Sequence, residues 1–186
     1  MEAMRVISGR WGGRLLPARV PPETRPTLDA VREAIFNMLA SRLAFEGQRV
    51  LDLYAGSGAL GIEALSRGAA HVTFVERSQR AAAAIEQNCR ALGIAQDEYI
   101  IVRGDATRFL ERAAEHVTLV FADPPYRSIA EWGRLLPALA TASCVERYAV
   151  IVLEHRAGLS LALPPALVLL DQRRWGDTGC TIAVRQ

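Results

Sequence analysis

Between residues 49 and 153, short and nearly continuous apolar runs alternate with stretches in which apolar residues recur every three or four positions. A strand that is apolar on both faces has to be covered on both, and alternation with helices is how a parallel sheet achieves that. The runs predict strands near 49–53, 71–76, 98–102, 116–122 and 147–153. The periodic stretches predict helices near 58–67, 78–92, 106–113 and 128–141, with Ser78 as a cap and Gly93 as a stop for the second. After 153 the alternation ceases, and runs at 166–172 and 179–185 around Trp175-Gly176-Asp177-Thr178-Gly179 predict an antiparallel hairpin at the sheet edge.

The first 48 residues read differently. Arg5 to Leu16 predicts two short strands around Gly12-Gly13, followed by a proline-rich connector from Pro17 to Pro26. From Thr27, a plausible N-cap, the residues Leu28, Val31, Ile35, Met38, Leu39 and Leu43 mark one helical face. The expected organisation is therefore a basic hairpin and connector over 1–26 and an α/β domain over 27–186. At 186 residues one core suffices.

No apolar run approaches the ~20 residues that span a bilayer, and the N-terminus lacks a secretory pattern, so a cytoplasmic protein is expected. Cys89, Cys144 and Cys180 form no Cys-x-x-Cys pair, which argues against a zinc site or a disulfide framework and predicts reduced, mostly buried thiols. All 22 basic residues are arginine, and four of them, Arg5, Arg10, Arg14 and Arg19, fall in the first 19 residues.

The first predicted strand runs into Asp52-Leu53-Tyr54-Ala55-Gly56-Ser57-Gly58-Ala59-Leu60-Gly61. Glycines at 56, 58 and 61 allow close approach of a ligand to the backbone at the carboxyl end of a strand, a pattern shared by NAD, FAD and S-adenosylmethionine sites. Asp52 favours the last of these, because a carboxylate there repels a diphosphate and suits a cationic aminoacyl group. Tyr54, Ala55, Gly56, Ser57 and Gly58 are thus candidate cofactor contacts, together with Glu76 and Arg77 at the end of the second strand. Glu76 can accept both hydroxyls of a ribose or be a solvated strand-end charge. Asp105, followed by Ala106, either accepts from an adenine amino group or caps the next helix.

The fourth strand leads straight into Asp123-Pro124-Pro125-Tyr126. Two prolines fix the backbone and hold the preceding residue extended, so the Asp123 carboxylate and the Pro124 carbonyl keep one orientation. Such paired acceptors suit an aryl amine, whose delocalised lone pair becomes nucleophilic only when the nitrogen pyramidalises. Tyr126 offers a ring face on which a base can stack. The same chemistry serves adenine N6 in DNA or RNA, and the glycine pattern leaves a dinucleotide oxidoreductase, or an RNA-binding module without activity, as alternatives from other classes.

The chain resembles the RsmD family of bacterial 16S rRNA guanine-N2 methyltransferases. The likeness rests on the two motifs above, on Ile7-Ser8-Gly9 with Gly13-Arg14, and on Arg25-Pro26-Thr27-Leu28-Asp29 continuing through Arg32-Glu33-Ala34-Ile35-Phe36-Asn37-Met38-Leu39. It implies a Rossmann-like class I methyltransferase fold, S-adenosylmethionine as donor, and a guanine in 16S rRNA of the small ribosomal subunit as acceptor, with a monomeric enzyme expected. It also implies that Arg25 and Thr27 lie near the cofactor, and that Arg10, Trp11 and Arg14 of the hairpin contact RNA. Arg173, Arg174 and Trp175 are a weaker candidate of the same kind, and His155 is expected to be structural.

Overall fold

The computed structural model describes residues 4–18, 29–125 and 129–186. Arg25, Thr27 and Tyr126 lie outside them, as do most of the connector and the first residues expected in two helices. In chain order the elements are α1 (Asp29–Ala40), β1 (Arg49–Leu53), α2 (Ala59–Ser66), β2 (His71–Glu76), α3 (Gln79–Leu92), β3 (Tyr99–Arg103), α4 (Ala106–Leu110), β4 (Val117–Ala122), α5 (Ile129–Thr141), β5 (Val145–Arg156), β6 (Leu167–Trp175) and β7 (Thr178–Arg185).

The strands form one sheet in the order β3-β2-β1-β4-β5-β7-β6. The first five are parallel, β7 runs antiparallel to β5, and β6 closes the edge antiparallel to β7. This is the Rossmann-like arrangement, and alternation along each strand explains it. Val50, Val72, Phe74, Leu119 and Phe121 point into a core shared with Ile35, Phe36 and Leu39 of α1 and with α2 and α3. Leu51, Leu53, Val75, Val120 and Ile151 point the other way, against Leu110 of α4 and Trp132, Leu135 and Leu139 of α5. Gly61 lets α2 lie close on the sheet: a Cβ there would stand 2.3 Å from the Phe74 ring. Among the described residues no helix is long and apolar enough to cross a membrane.

Three expectations need correction. Helix α4 stops at Leu110 instead of residue 113, because Glu111 and Arg112 are exposed and add nothing to its buried face. Strand β5 has 12 residues and begins earlier than expected, with a register shift against β4 and a left-handed Tyr148 (φ 69°), and it lengthens to Arg156 through pairing with β7.

The N-terminal segment is the third. In place of two strands it holds one antiparallel bridge, Arg5 with Leu15, flanked by bonds from Val6 N–H to the Arg14 carbonyl and from Leu16 N–H to the Met4 carbonyl, while Ile7, Ser8, Arg10 and Trp11 turn their N–H groups to α2. The buried Glu63 carboxylate accepts from Ile7 N (2.7 Å) and Ser8 N (3.1 Å), and Ser66 accepts from Arg10 N at its carbonyl (2.7 Å) and from Trp11 N at Oγ (3.0 Å). Gly9 (φ 84°) is required there, since a Cβ would sit 1.8 Å from the Ser66 carbonyl oxygen. Val6, Trp11 and Leu16 are buried in the same core as α1–α3, so the hairpin is part of the domain and not an appendage.

Candidate active site

The carboxyl ends of β1, β2, β3 and β4 lie side by side, and each ends in a carboxylate singled out from the sequence: Asp52, Glu76, Asp105 just past β3, and Asp123 just past β4. Between β1 and α2 the chain turns through Tyr54 (φ 60°), Gly56 (φ 55°) and Gly58 (φ 78°). Around Gly56 a Cβ would find only the Tyr54 carbonyl oxygen, at 3.9 Å, so the loop presents open backbone. Gly58 has no side chain to cap α2. Asp52 supplies the acceptor instead: buried at the end of β1, its Oδ2 takes the Gly61 N–H at 2.9 Å. Burial raises the Asp52 carboxyl to about 8 and the nearby Glu76 raises it too, with the Gly61 N–H working in the opposite direction.

Glu76 braces the same loop. Its Oε2 accepts from Gly56 N (3.0 Å) and its Oε1 from Ser78 N (2.7 Å), which aims the carboxylate while leaving lone pairs for ribose hydroxyls. Arg77 beside it is exposed. Asp105 is the N-cap of α4, accepting from Arg108 N at 3.0 Å, and Arg134 of α5 contacts both of its oxygens (3.3 and 3.2 Å). The Arg108 N–H and Arg134 hold its carboxyl below the ordinary value, against the effect of burial, while Ala106 is buried beside it. Of the two uses left open for Asp105, capping is the one the geometry displays.

Asp123 follows β4 directly, and register sets its neighbours: Ala122 pairs with Leu53 of β1 and with Leu153 of β5. Its N–H points to the Leu53 carbonyl (3.5 Å), which holds the turn against the glycine loop, and Pro124 is buried while Pro125 is exposed. Burial, then the proximity of Glu154 and Asp52, raises the Asp123 carboxyl well above the usual range. Glu154, buried at the end of β5, is a participant that sequence reasoning passed over.

Asn88 is a second omission. Fully buried in α3, it donates to the Ser57 carbonyl (3.0 Å) and accepts from Ala18 N (2.9 Å), which joins the N-terminal segment to the glycine loop. The signal was present: Ala81, Ala84, Ile85, Asn88, Cys89 and Leu92 are the buried face of α3, and an amide among apolar neighbours requires partners. Glu63, the one acid in α2, carried the same signal.

Of the residues expected to contact RNA, Trp11 is buried, while Arg10 and Arg14 are exposed. Trp11 is 4% exposed, so neither face of its ring is available for stacking on a base. Arg10 lies over that ring (4.4 Å) and pairs with Glu98 (2.7 Å), while Arg14 donates to the Leu92 and Ala91 carbonyls (3.0 and 2.8 Å) and so caps the end of α3. His155 is structural, as expected: buried, its Nδ1 lies 3.0 Å from the Arg156 carbonyl and its Nε2 2.9 Å from Thr181 Oγ1. The three cysteines are free and buried.

Four carboxyl groups along the strand ends suit a ligand that is cationic at one end and carries hydroxyls and an amino group elsewhere, since a cation favours their ionised forms and a diphosphate opposes them. The aminoacyl nucleoside S-adenosylmethionine meets that description.

A family profile described as "Conserved hypothetical protein 95" matches residues 4–184. The Bacillus subtilis protein YlbH is 40% identical over 183 residues, covering 96% of this chain and 97% of its own length. A Haemophilus influenzae protein named "Ribosomal RNA small subunit methyltransferase D" is 32% identical over 93% of this chain and 89% of its own. The solved structure of yhhF from Escherichia coli superposes with a TM-score of 0.84 at 32% identity, covering 100% of this chain and 99% of that one. Among more distant solved structures with the same fold is a methyltransferase complexed with S-adenosylhomocysteine (TM-score 0.67, 14% identity, 82% of this chain and 49% of that one).

Proposed function

Because the chain belongs to the RsmD family, we propose that it transfers a methyl group from S-adenosylmethionine to the exocyclic N2 amine of a guanine in 16S rRNA, presented within the small ribosomal subunit. S-adenosylmethionine is the donor, and it supplies a methyl carbon already activated by the sulfonium it is bonded to. The observation that carries the reading is the junction of β1 and β4, where the Asp123-Pro124-Pro125 turn is held against the glycine loop by strand register and by the Asp123 N–H to Leu53 bond.

In this reading the loop Tyr54 to Gly58 gives the donor an open backbone, Glu76 accepts from its ribose, and Asp52 favours its cationic amino group. Arg25 and Thr27, outside the described residues, are proposed as further donor contacts on the strength of the family resemblance. Ala106 and the Asp105 cap border the adenine.

Asp123 and the Pro124 carbonyl accept the two hydrogens of the target amine, and Tyr126 stacks on the base. Alignment supplies much of the acceleration, which requires a rigid turn. A cation in the site favours the ionised Asp123. Its burial beside Glu154 and Asp52 gives that carboxylate the proton affinity to take the proton shed by the methylated amine.

The test is to incubate the protein with isotope-labelled donor and, separately, small subunits, naked 16S rRNA and duplex DNA. Label in small-subunit RNA alone agrees with the proposal. Label in DNA, or tight NAD binding with none for S-adenosylhomocysteine, overturns it.

A further inference from the structure

We propose that Tyr54 and Glu131 form a latch that sets the Asp123-Pro124-Pro125 turn against the donor loop, which makes both of them positioning residues for the transfer step. The inference rests on the methyl-transfer reading above and goes beyond it in assigning residues that touch neither reacting atom.

Tyr54 is the first residue after β1 and adopts a left-handed backbone conformation (φ 60°) that side chains other than glycine rarely adopt. The half-buried side chain reaches α5, where its hydroxyl donates to Glu131 Oε1 at 2.6 Å. Glu131 lies in the first turn of α5, eight residues after Asp123. One turn further on, Arg134 lies 4.0 Å from the same Glu131 oxygen and contacts both oxygens of Asp105. The start of α5 therefore ties together the segments that follow β1, β3 and β4.

The turn needs such a tie. Asp123 has one backbone bond to β1, long at 3.5 Å, and the two prolines after it have no N–H to donate. Leu53, whose carbonyl takes the Asp123 N–H, immediately precedes Tyr54, so the Tyr54 hydroxyl bond to α5 steadies the contact from the β1 side. Burial and the Glu131 carboxylate hold the Tyr54 hydroxyl above the ordinary phenol range, so it remains a neutral donor at any working pH. For the Tyr54 bond an acceptor at position 131 suffices, and a glutamine carbonyl provides one.

The experiment compares Tyr54→Phe, Glu131→Ala, Glu131→Gln and the double variant Tyr54→Phe/Glu131→Ala. Donor affinity is read by calorimetry with S-adenosylhomocysteine, and kcat and KM with small subunits. A 1 Å misplacement can lower a rate by about 10²-fold, so Tyr54→Phe and Glu131→Ala should each lower kcat by roughly 10- to 100-fold. Donor affinity and subunit KM should stay within about threefold of wild type, the double variant should be no slower than the slower single, and Glu131→Gln should recover most of the rate. A wild-type kcat in Tyr54→Phe, multiplied losses in the double variant, or loss of donor binding in place of rate would overturn the latch.

Amide hydrogen exchange over residues 129–134 gives a reading independent of turnover. Faster exchange in Tyr54→Phe supports the latch, and unchanged exchange refutes it. If wild-type protein binds S-adenosylhomocysteine but methylates no RNA, the proposed function fails while the exchange result still decides the latch.

Discussion

Replacing Trp11 by alanine separates two views of the N-terminal segment. If Trp11 were an exposed aromatic reaching for RNA, its loss would weaken RNA binding and leave stability almost untouched. The structure places it at 4% exposure, in one core with Val6, Leu16, Phe36 and Leu65, and with its N–H on Ser66 Oγ at 3.0 Å. Truncation of a buried tryptophan typically removes about 3–5 kcal/mol, the lost transfer energy plus that of the cavity left behind. At about 2–4 °C per kcal/mol for a domain of this size, the melting temperature should fall by roughly 6–20 °C. Arg10→Ala is the control. Its pair with Glu98 is half-exposed, so its loss should remove no more than about 1 kcal/mol. Thermal unfolding followed by circular dichroism measures both, and rRNA affinity is then read on Trp11→Phe, which keeps the fold. A Trp11→Ala protein that melts like wild type, or a stably folded Trp11→Phe with sharply weakened RNA binding, would refute the reasoning.

Asp123→Ala should lower methyl transfer by about 10²-fold or more, since the amine loses an orienting acceptor, with S-adenosylhomocysteine affinity within about threefold in calorimetry. Retained activity would remove Asp123 from the reaction. Asp52 supplies a pH test. Burial raises its carboxyl to about 8 and the ammonium group of the ligand favours the ionised form, so binding below pH 8 should release a proton. S-adenosylhomocysteine affinity should therefore rise as pH climbs from 6.5 toward 8, by at most about tenfold per unit, and level off above. The calorimetric enthalpy should vary with buffer ionisation enthalpy, and Asp52→Asn should abolish the variation. A wild-type enthalpy independent of buffer would contradict the assignment.

The strands were legible because burial on both faces leaves a contiguous apolar run, as in Val117 to Ala122, and α3 was legible at both ends because Ser78 and Gly93 act locally. The candidate carboxylates were legible too, since each falls at or just after the end of a strand. What escaped the sequence depends on partners far along the chain. Trp11 is buried through Ser66, 55 residues away, and Tyr54 finds Glu131 across 77. No local pattern encodes either meeting. The extra length of β5 belongs with these, because pairing with β7 draws it to Arg156 and a left-handed Tyr148 absorbs the register shift. Asp105 marks the boundary: the local cap was readable, but the contact from Arg134 was not.

The central claim is tested most directly by the identity of the base that receives the methyl group. Small subunits lacking the modification are incubated with the protein and isotope-labelled S-adenosylmethionine, the 16S rRNA is digested to nucleosides, and the labelled nucleoside is identified by mass and fragmentation. The account predicts N2-methylguanosine at one position, absent when Asp123→Ala replaces the wild-type protein. Label in N6-methyladenosine, or no labelled nucleoside from a protein that binds the donor, would contradict it.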